Sequence, residues 1–222
     1  MLTSERFAGR ILSRTTTNDW RLILRKLVLL APVFALFFCS LFATAQQGDI
    51  AFGGGTLVSS GSCDSLTGLC PEKGGFYPAI SADVIFHKRA GFEFDTAWKG
   101  SQGAYGGTGG QPYRPLLFSF NGMYQPRLSK KAGIDLLGGI GWQSTRFYGY
   151  QPTSGCVYFG ACYVSSNHFL VDVGGGLRYY VWGHFFVRPE ARFYHVVNNT
   201  DVFSNGNVVR VGASIGYTIG PD

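Results

Sequence analysis

The feature that most constrains this chain is a series of segments in which every second residue is apolar. Eight such segments follow the N-terminal region of the 222-residue sequence, and none of them has a convincing helical period. They lie at 49–58, 76–87, 90–99, 113–125, 132–146, 167–181, 184–197 and 207–219. The last one contains "VVRVGASIGYTIG", where one face is apolar and the other is polar or glycine. This period of two predicts an all-β protein made of half-buried strands.

The connections between these segments alternate in length. The turns around "HKRAG", "RLSKKAG" and "WGH" are short, whereas 59–75, "SQGAYGGTGGQP" and 147–166 are long and "NTDVFSNG" is intermediate. In a meander, this alternation puts all long loops at one end. We therefore predict an eight-stranded antiparallel up-and-down transmembrane β-barrel, in which closure satisfies the backbone in lipid and removes strand edges.

The apolar face of the segments is predicted to contact lipid. Its aromatic residues lie mainly near strand ends and sort into two belts, as expected at the two headgroup levels. The belt at the loop end comprises Phe76, Trp98, Trp142, Phe169 and Phe193. The belt at the turn end comprises Phe86, Phe92, Tyr124, Tyr179, Phe185 and Tyr217. The alternative is a soluble lipocalin-like barrel or sandwich with the apolar face inside, which the belts and loop lengths disfavour.

The opposite face carries the charges and is predicted to line the lumen. Six acids and four arginines share this phase: Asp83, Glu93, Asp95, Asp135, Asp172, Glu190, Arg178, Arg188, Arg192 and Arg210. Because an unpaired buried charge is costly, we expect them to form one ion-pair network that plugs the lumen. Pro78, Pro115 and Pro189 cannot donate to a strand ladder, so we expect bulges or strand ends there, with Pro189 the worst fit.

The first 45 residues are typical of an export signal. Arg21, Arg25 and Lys26 precede the apolar run "LVLLAPVFALFFCSLFATA", which ends in a small-x-small pattern. We predict a cleavable signal peptide at 1–45 and a barrel domain at 46–222; an uncleaved anchor is the alternative. Without the leader, the chain has 13 basic and 11 acidic residues, because the leader holds six of 19 and two of 13. The basic character is therefore no indication of nucleic-acid binding.

Four cysteines of the predicted barrel domain form two close pairs in polar loops. We predict disulfides between Cys63 and Cys70 and between Cys156 and Cys162, as expected after export. Metal binding is the weaker alternative, since neither pair has CxxC spacing and no histidine is close by. No cofactor or metal site is predicted.

The last strand carries a resemblance to a known family. In "VGASIGY", Gly212, Ile215 and Tyr217 match the C-terminal pattern of outer membrane β-barrel domains, and the whole predicted barrel domain is similar in plan to the transmembrane domain of outer membrane protein A. The resemblance implies recognition by the barrel assembly machinery and a location in the bacterial outer membrane, among its lipids and lipopolysaccharide. The chain departs from the pattern because residues 218–222 follow the aromatic residue.

No catalytic motif stands out. "RFYHVVNNT" faintly resembles a segment of lipid A deacylases through His195 and Asn198, but Val197 occupies the nucleophile position. We therefore predict a structural or surface-interaction protein, with an extracellular ligand expected at loops 59–75 and 147–166. A narrow channel or a transporter of small hydrophobic ligands is the alternative, since an eight-stranded lumen is only wide enough for side chains. A deacylase-like enzyme is the less favoured third hypothesis.

Overall fold

The computed structural model describes residues 47–86, 89–105, 110–148 and 163–220. The strands are β1 Gln47–Val58, β2 Tyr77–Phe86, β3 Ala90–Trp98, β4 Gly103–Tyr105, β5 Gln111–Tyr124, β6 Ala132–Tyr148, β7 Tyr163–Trp182, β8 Phe185–Val196 and β9 Asn207–Ile219. A 3-10 turn, Asn199–Asp201, precedes β9. Within these ranges no helix has the length and apolar character that a membrane span requires.

Eight of the strands close into an antiparallel barrel. Neighbours follow the order β3-β2-β1-β9-β8-β7-β6-β5, and β3 pairs with β5 to close the ring. The first and last strands meet over eleven residue pairs, from Gly48↔Ile219 to Val58↔Val209. β4 is a short addition that pairs only with the start of β5. The predicted fold class, an eight-stranded up-and-down barrel, is confirmed.

The predicted boundaries at the loop end of β6 and β7 are wrong. β6 continues to Tyr148 and β7 begins at Tyr163, and these two residues pair with each other. The connection predicted at 147–166 is therefore partly strand, because both strands extend beyond their apolar pattern. The residues between them, including Cys156 and Cys162, lie outside the described residues, as does the predicted signal peptide.

The two faces of the strands differ as the period of two requires. On the outer face, Phe52 is 61% exposed and Ile215 is 63% exposed, whereas charged side chains of the inner face are almost fully buried. Outer aromatic rings also meet between neighbouring strands, such as Phe185 and Tyr217 at 4.9 Å between centroids. Exposed apolar side chains around a closed sheet form a lipid-facing surface.

Pro189 does not cause the expected bulge. It pairs with Ala213 in unbroken register, and the register with β7 is the same on both sides of it. The ladder to β7 instead has a gap between the pairs Gly176↔Glu190 and Tyr179↔Val187. The missing proline donor is thus accommodated by an interruption of the ladder, and the register shift lies further on, between Tyr180 and Trp182.

Candidate functional site

The barrel interior holds the charged residues that the alternation assigned to it. The half near the short connections, called here the turn end, is organised around Arg178. Its Nη2 lies 3.0 Å from Asp83 and 3.1 Å from Asp135, and its Nη1 binds Asp49. Phe186 lies beneath the guanidinium, 4.2 Å from ring centroid to Cζ. Gln125 completes this layer by donating to Asp135 at 2.9 Å.

Three further arginines continue the network towards the end with the long connections, called here the loop end. Arg188 lies 3.2 Å from both Asp83 and Glu93, so it connects two layers. Arg192 pairs with Glu93 at 2.6 Å. Both Arg192 and Arg210 reach Glu190, at 3.2 and 2.8 Å. Each guanidinium thus contacts carboxylates from at least two strands, which ties opposite walls of the barrel together.

One predicted member of the network is not ion-paired, and one member was missed. Asp172 is 1% exposed, yet no described cation lies within ion-pair distance, and neither of its carboxylate oxygens has a hydrogen-bond partner among the described residues. Asp49 belongs to the network through Arg178. It shares the inward phase of Ala51, so the alternation of β1 contained the signal.

Two lumen glycines make room for these arginines. A Cβ on Gly174 would stand 2.9 Å from Cγ of Arg192, and a Cβ on Gly176 would stand 2.9 Å from Cγ of Arg188. These distances are shorter than normal carbon contacts. β7 therefore has glycine at the two positions where the aliphatic parts of the β8 arginine side chains pass over it.

Above the arginines, the connection between β1 and β2 enters the barrel. Glu72 is fully buried, although it belongs to a loop rather than a strand. It accepts a hydrogen bond from the Tyr77 hydroxyl at 3.2 Å and another from the Gln143 amide. Burial raises the pKa of Glu72 to about 7, against the lowering effect of these hydrogen bonds and of Lys99. Sequence periodicity could not reveal this residue, because a loop has no alternating pattern.

Aromatic side chains close the loop end over Glu72 and Lys99. The Lys99 ammonium donates to the Tyr113 hydroxyl at 3.0 Å. Tyr113, Tyr105, Phe147 and Phe203 form a cluster with centroids 5.0–6.4 Å apart. The short strand β4 supplies Tyr105 to this cluster.

The connections β1–β2 and β8–β9 are joined to each other outside the barrel. A disulfide links Cys63 and Cys70. The Ser204 amide donates to the Cys70 carbonyl at 3.2 Å, and the Asn205 side chain donates to the Ser60 carbonyl at 3.0 Å. Between the two connections lies a cavity of about 540 Å³. It is lined by Ser60, Gly61, Ser62, Asp64, Thr67, Leu69, Thr200, Phe203, Ser204 and Asn205.

The histidine of the deacylase-like segment lies away from the lumen. His195 is exposed on the outer face of β8, and its Nδ1 is 2.7 Å from Oδ1 of Asn207 on β9. Val197 is half-buried, and its amide donates to the Phe169 carbonyl. No group of three or more metal-ligating side chains occurs among the described residues.

The residues of the C-terminal pattern lie on the closing strand. Ile215 and Tyr217 face outward from β9, and Gly212 stands opposite Gly55 of β1. A Cβ on Gly212 would overlap the backbone of β1. Because glycine has no Cβ, β9 can approach β1 closely at this position, where the two strands complete the barrel.

Comparison with solved structures identifies the fold. Neisserial surface protein A matches with a TM-score of 0.54 and 14% identity, over 78% of this chain and 97% of that one. Ail of Yersinia pestis, in complex with the heparin analogue sucrose octasulfate, matches with a TM-score of 0.52 and 13% identity, over 78% and 98%. The N-terminal β-barrel domain of Pseudomonas aeruginosa OprF matches with a TM-score of 0.50 and 10% identity, over 79% and 98%.

The chain has the fold of an outer-membrane β-barrel. In sequence, no protein family and no curated protein matches it. The barrel spans nearly the whole length of each of these solved structures, and the likeness supports the predicted location in the outer membrane. At these identities the comparison concerns the fold, so the role of the barrel is argued from its own side chains.

Proposed function

We propose that this protein is a closed outer-membrane barrel that presents a rigid loop surface to extracellular ligands. The observation that supports the proposal is the near-complete burial of the charged side chains that face the lumen. Four arginines and their carboxylates fill its centre, and Glu72 with its hydrogen-bonded partners lies above them. Ile85, Met123 and Leu137 form a further buried cluster near the turn end. A solute would have to displace buried ion pairs that hold several strands, and such displacement is costly.

A closed lumen leaves the outer surface as the place where the barrel can act. The disulfide and the hydrogen bonds between connections β1–β2 and β8–β9 hold this surface in one conformation before a ligand arrives. Preorganisation of this kind lowers the entropy that binding would otherwise cost. The proposed ligand surface therefore combines the predicted connection 59–75 with connection 197–206, whereas most of the second predicted loop, 147–166, lies outside the described residues.

The chemistry of the cavity between these connections favours an uncharged polar ligand such as a neutral oligosaccharide. Hydroxyl and amide side chains line it, Asp64 is its acid, and its described lining includes no lysine or arginine. The Asp64 carboxylate already accepts from the Leu66 amide and the Thr67 hydroxyl. Ail binds a sulfated heparin analogue; a cavity without a cation is a poor match for sulfate.

A non-enzymatic role fits the surroundings of His195. Its imidazole is paired with Asn207, and the residue two positions along the chain is a valine, which offers no nucleophile. We therefore propose that the deacylase-like segment is the ordinary end of β8.

The test is binding of the purified barrel, held in lipid nanodiscs, to arrays of neutral and sulfated oligosaccharides. We expect selective binding of neutral saccharides, weakened by Asn205→Ala and unaffected by Ser165→Ala on β7. Preferential binding of sulfated saccharides, or binding that Asn205→Ala leaves unchanged, would contradict the proposed ligand surface.

A further inference from the structure

The turn end of the barrel carries a basic groove that the proposed function does not use. The groove has a volume of about 480 Å³ and opens between the β5–β6 turn and the β7–β8 turn. Arg127, Lys130 and Lys131 line one side of it, and Val181 and Trp182 line the other. The groove therefore combines three cations with an apolar wall.

The three cations have no acidic partner among the described residues. Arg127, Lys130 and Lys131 are all exposed, and none of them forms an ion pair with another residue in the part of the chain that the structure describes. The acids of this half of the lumen, Asp49 and Asp135, are bound to Arg178 instead. Among the described residues, the positive charge of the groove is therefore not compensated, and it would attract an anion.

The backbone that presents the cations is held in place. The Ser129 hydroxyl accepts from the amides of Lys131 and Ala132, at 3.2 and 3.0 Å. The Lys131 carbonyl accepts from the Tyr180 amide on β7 at 2.8 Å, which fixes the turn against the opposite wall of the groove. Gln47, Tyr180 and Thr218 form the polar floor of the groove. Hydrogen bonds hold this floor in place, because the Tyr180 hydroxyl contacts both Gln47 and Thr218.

The groove lies at the level of the turn-end aromatic belt. Trp182 is 80% exposed and stacks on Phe185, with centroids 6.4 Å apart, and Phe185 contacts Tyr217. Leu128, in the same turn as the lysines, is also exposed. Exposed tryptophan and leucine beside lysines are typical of a membrane–water interface, where apolar rings and cations are both accommodated.

We propose that this groove binds the headgroup of an anionic glycerophospholipid from the leaflet at the turn end. The phosphate would accept charge-assisted hydrogen bonds from Arg127, Lys130 and Lys131, in the manner usual for these side chains. The glycerol and its esters would face the polar floor, and an acyl chain would lie along Val181 and Trp182. A zwitterionic lipid would bring an ammonium group into an already positive site, so the groove discriminates by charge.

The proposal is tested with native mass spectrometry of the full barrel released from lipid nanodiscs. Nanodiscs of phosphatidylcholine alone are compared with nanodiscs that also contain phosphatidylglycerol. We expect retention of one phosphatidylglycerol molecule and no comparable retention of phosphatidylcholine. Lys130→Gln/Lys131→Gln should weaken this binding by roughly thirtyfold, because each of the two basic side chains near an anionic lipid contributes about 1 kcal/mol.

The matched control is Lys73→Gln/Arg146→Gln, which removes two charges at the loop end and should leave lipid retention unchanged. Heat-modifiable gel migration verifies that each variant is folded, and added NaCl should weaken retention by the wild-type barrel. Three outcomes would overturn the proposal: equal retention of phosphatidylcholine, an unchanged Lys130→Gln/Lys131→Gln variant, or binding of soluble acidic peptidoglycan peptides with no preference among lipids.

Discussion

Arg192 on β8 donates two hydrogen bonds to Glu93 on β3 across the lumen, at 2.6 and 2.9 Å. Both side chains are fully buried. These strands are not neighbours in the sheet, so this pair links walls that the backbone ladder does not join. The barrel is therefore braced through its interior as well as around its circumference.

Removal of one partner of this pair should destabilise the barrel. Glu93→Gln removes a negative charge that neutralises the buried Arg192 guanidinium. We therefore expect the free energy of unfolding to fall by about 3 kcal/mol. The measurement is urea unfolding in detergent micelles, with exposed Lys73→Gln as the control. In a double-mutant cycle, Arg192→Met should cost clearly less in the Glu93→Gln background than in the wild type. If the destabilising effects of the two substitutions were simply additive, the Arg192–Glu93 pair would not stabilise the barrel as described.

Glu72 should make stability depend on pH. Its pKa is about 7 in the folded protein and 4.5 in the unfolded chain, and burial is the main cause. Because the folded state favours the protonated form, ionisation opposes folding. Stability should therefore fall as pH rises from about 4.5 through about 7, by on the order of 3 kcal/mol in total. Glu72→Gln should abolish this dependence.

The measurement is the free energy of unfolding of wild type and Glu72→Gln between pH 4 and pH 8. The difference between the two proteins should change with pH as described. A difference that stays constant over this range would show that the carboxyl group is not buried in the folded barrel.

The Cys63–Cys70 disulfide should act on the loop surface rather than on the barrel. In Cys63→Ala/Cys70→Ala, we expect faster proteolysis within 59–75 and weaker ligand binding. The disulfide closes a loop of about eight residues, and the lost conformational entropy raises the free energy of the unfolded loop by about 2 kcal/mol. Barrel unfolding should hardly change, because the strand ladders remain. Reduced wild type should behave like the variant. If the whole barrel of the variant instead unfolded under milder conditions, the prediction that the disulfide stabilises only the loop would be wrong.

Close strand approach should make Gly141 intolerant of a side chain. A Cβ there would overlap the Phe118 carbonyl oxygen of the neighbouring strand, whereas a Cβ on Gly122 has its nearest neighbour at 3.7 Å. Gly141→Ala should cost about 2 kcal/mol or more through overpacking. Gly122→Ala is the control from the same strand pair. The readout is the fraction of heat-modifiable folded protein, and equal fractions for the two variants would contradict the packing.

The sequence predicted the barrel well because its strands repeat a local pattern. Alternation assigned Glu93 and Arg192 to the lumen without any knowledge of their contact, since in-out phase follows directly from the pleat. The boundaries of β6 and β7 were wrong because backbone pairing continues where the apolar alternation stops. Pro189 was expected to shift the register, but a gap in one ladder suffices.

The features that the sequence did not predict depend on contacts between residues far apart in the sequence. Glu72 reaches Gln143 from a loop, and no local pattern indicates which loop residue turns into a lumen. The basic groove has the same origin. The lysines of "RLSKKAG" were visible as a short turn, but their position opposite Trp182 follows from the pairing of β6 with β7 and the tie from Tyr180 to Lys131.

Single-channel recording in planar lipid bilayers distinguishes a closed lumen from a narrow channel. Under the proposed function, purified folded barrel should produce no stable conductance steps above the baseline of the empty bilayer, because an ion would have to displace buried ion pairs and the Glu72 segment. Reproducible unitary steps from the wild-type barrel, obtained with independent preparations, would contradict a closed lumen and favour the narrow channel.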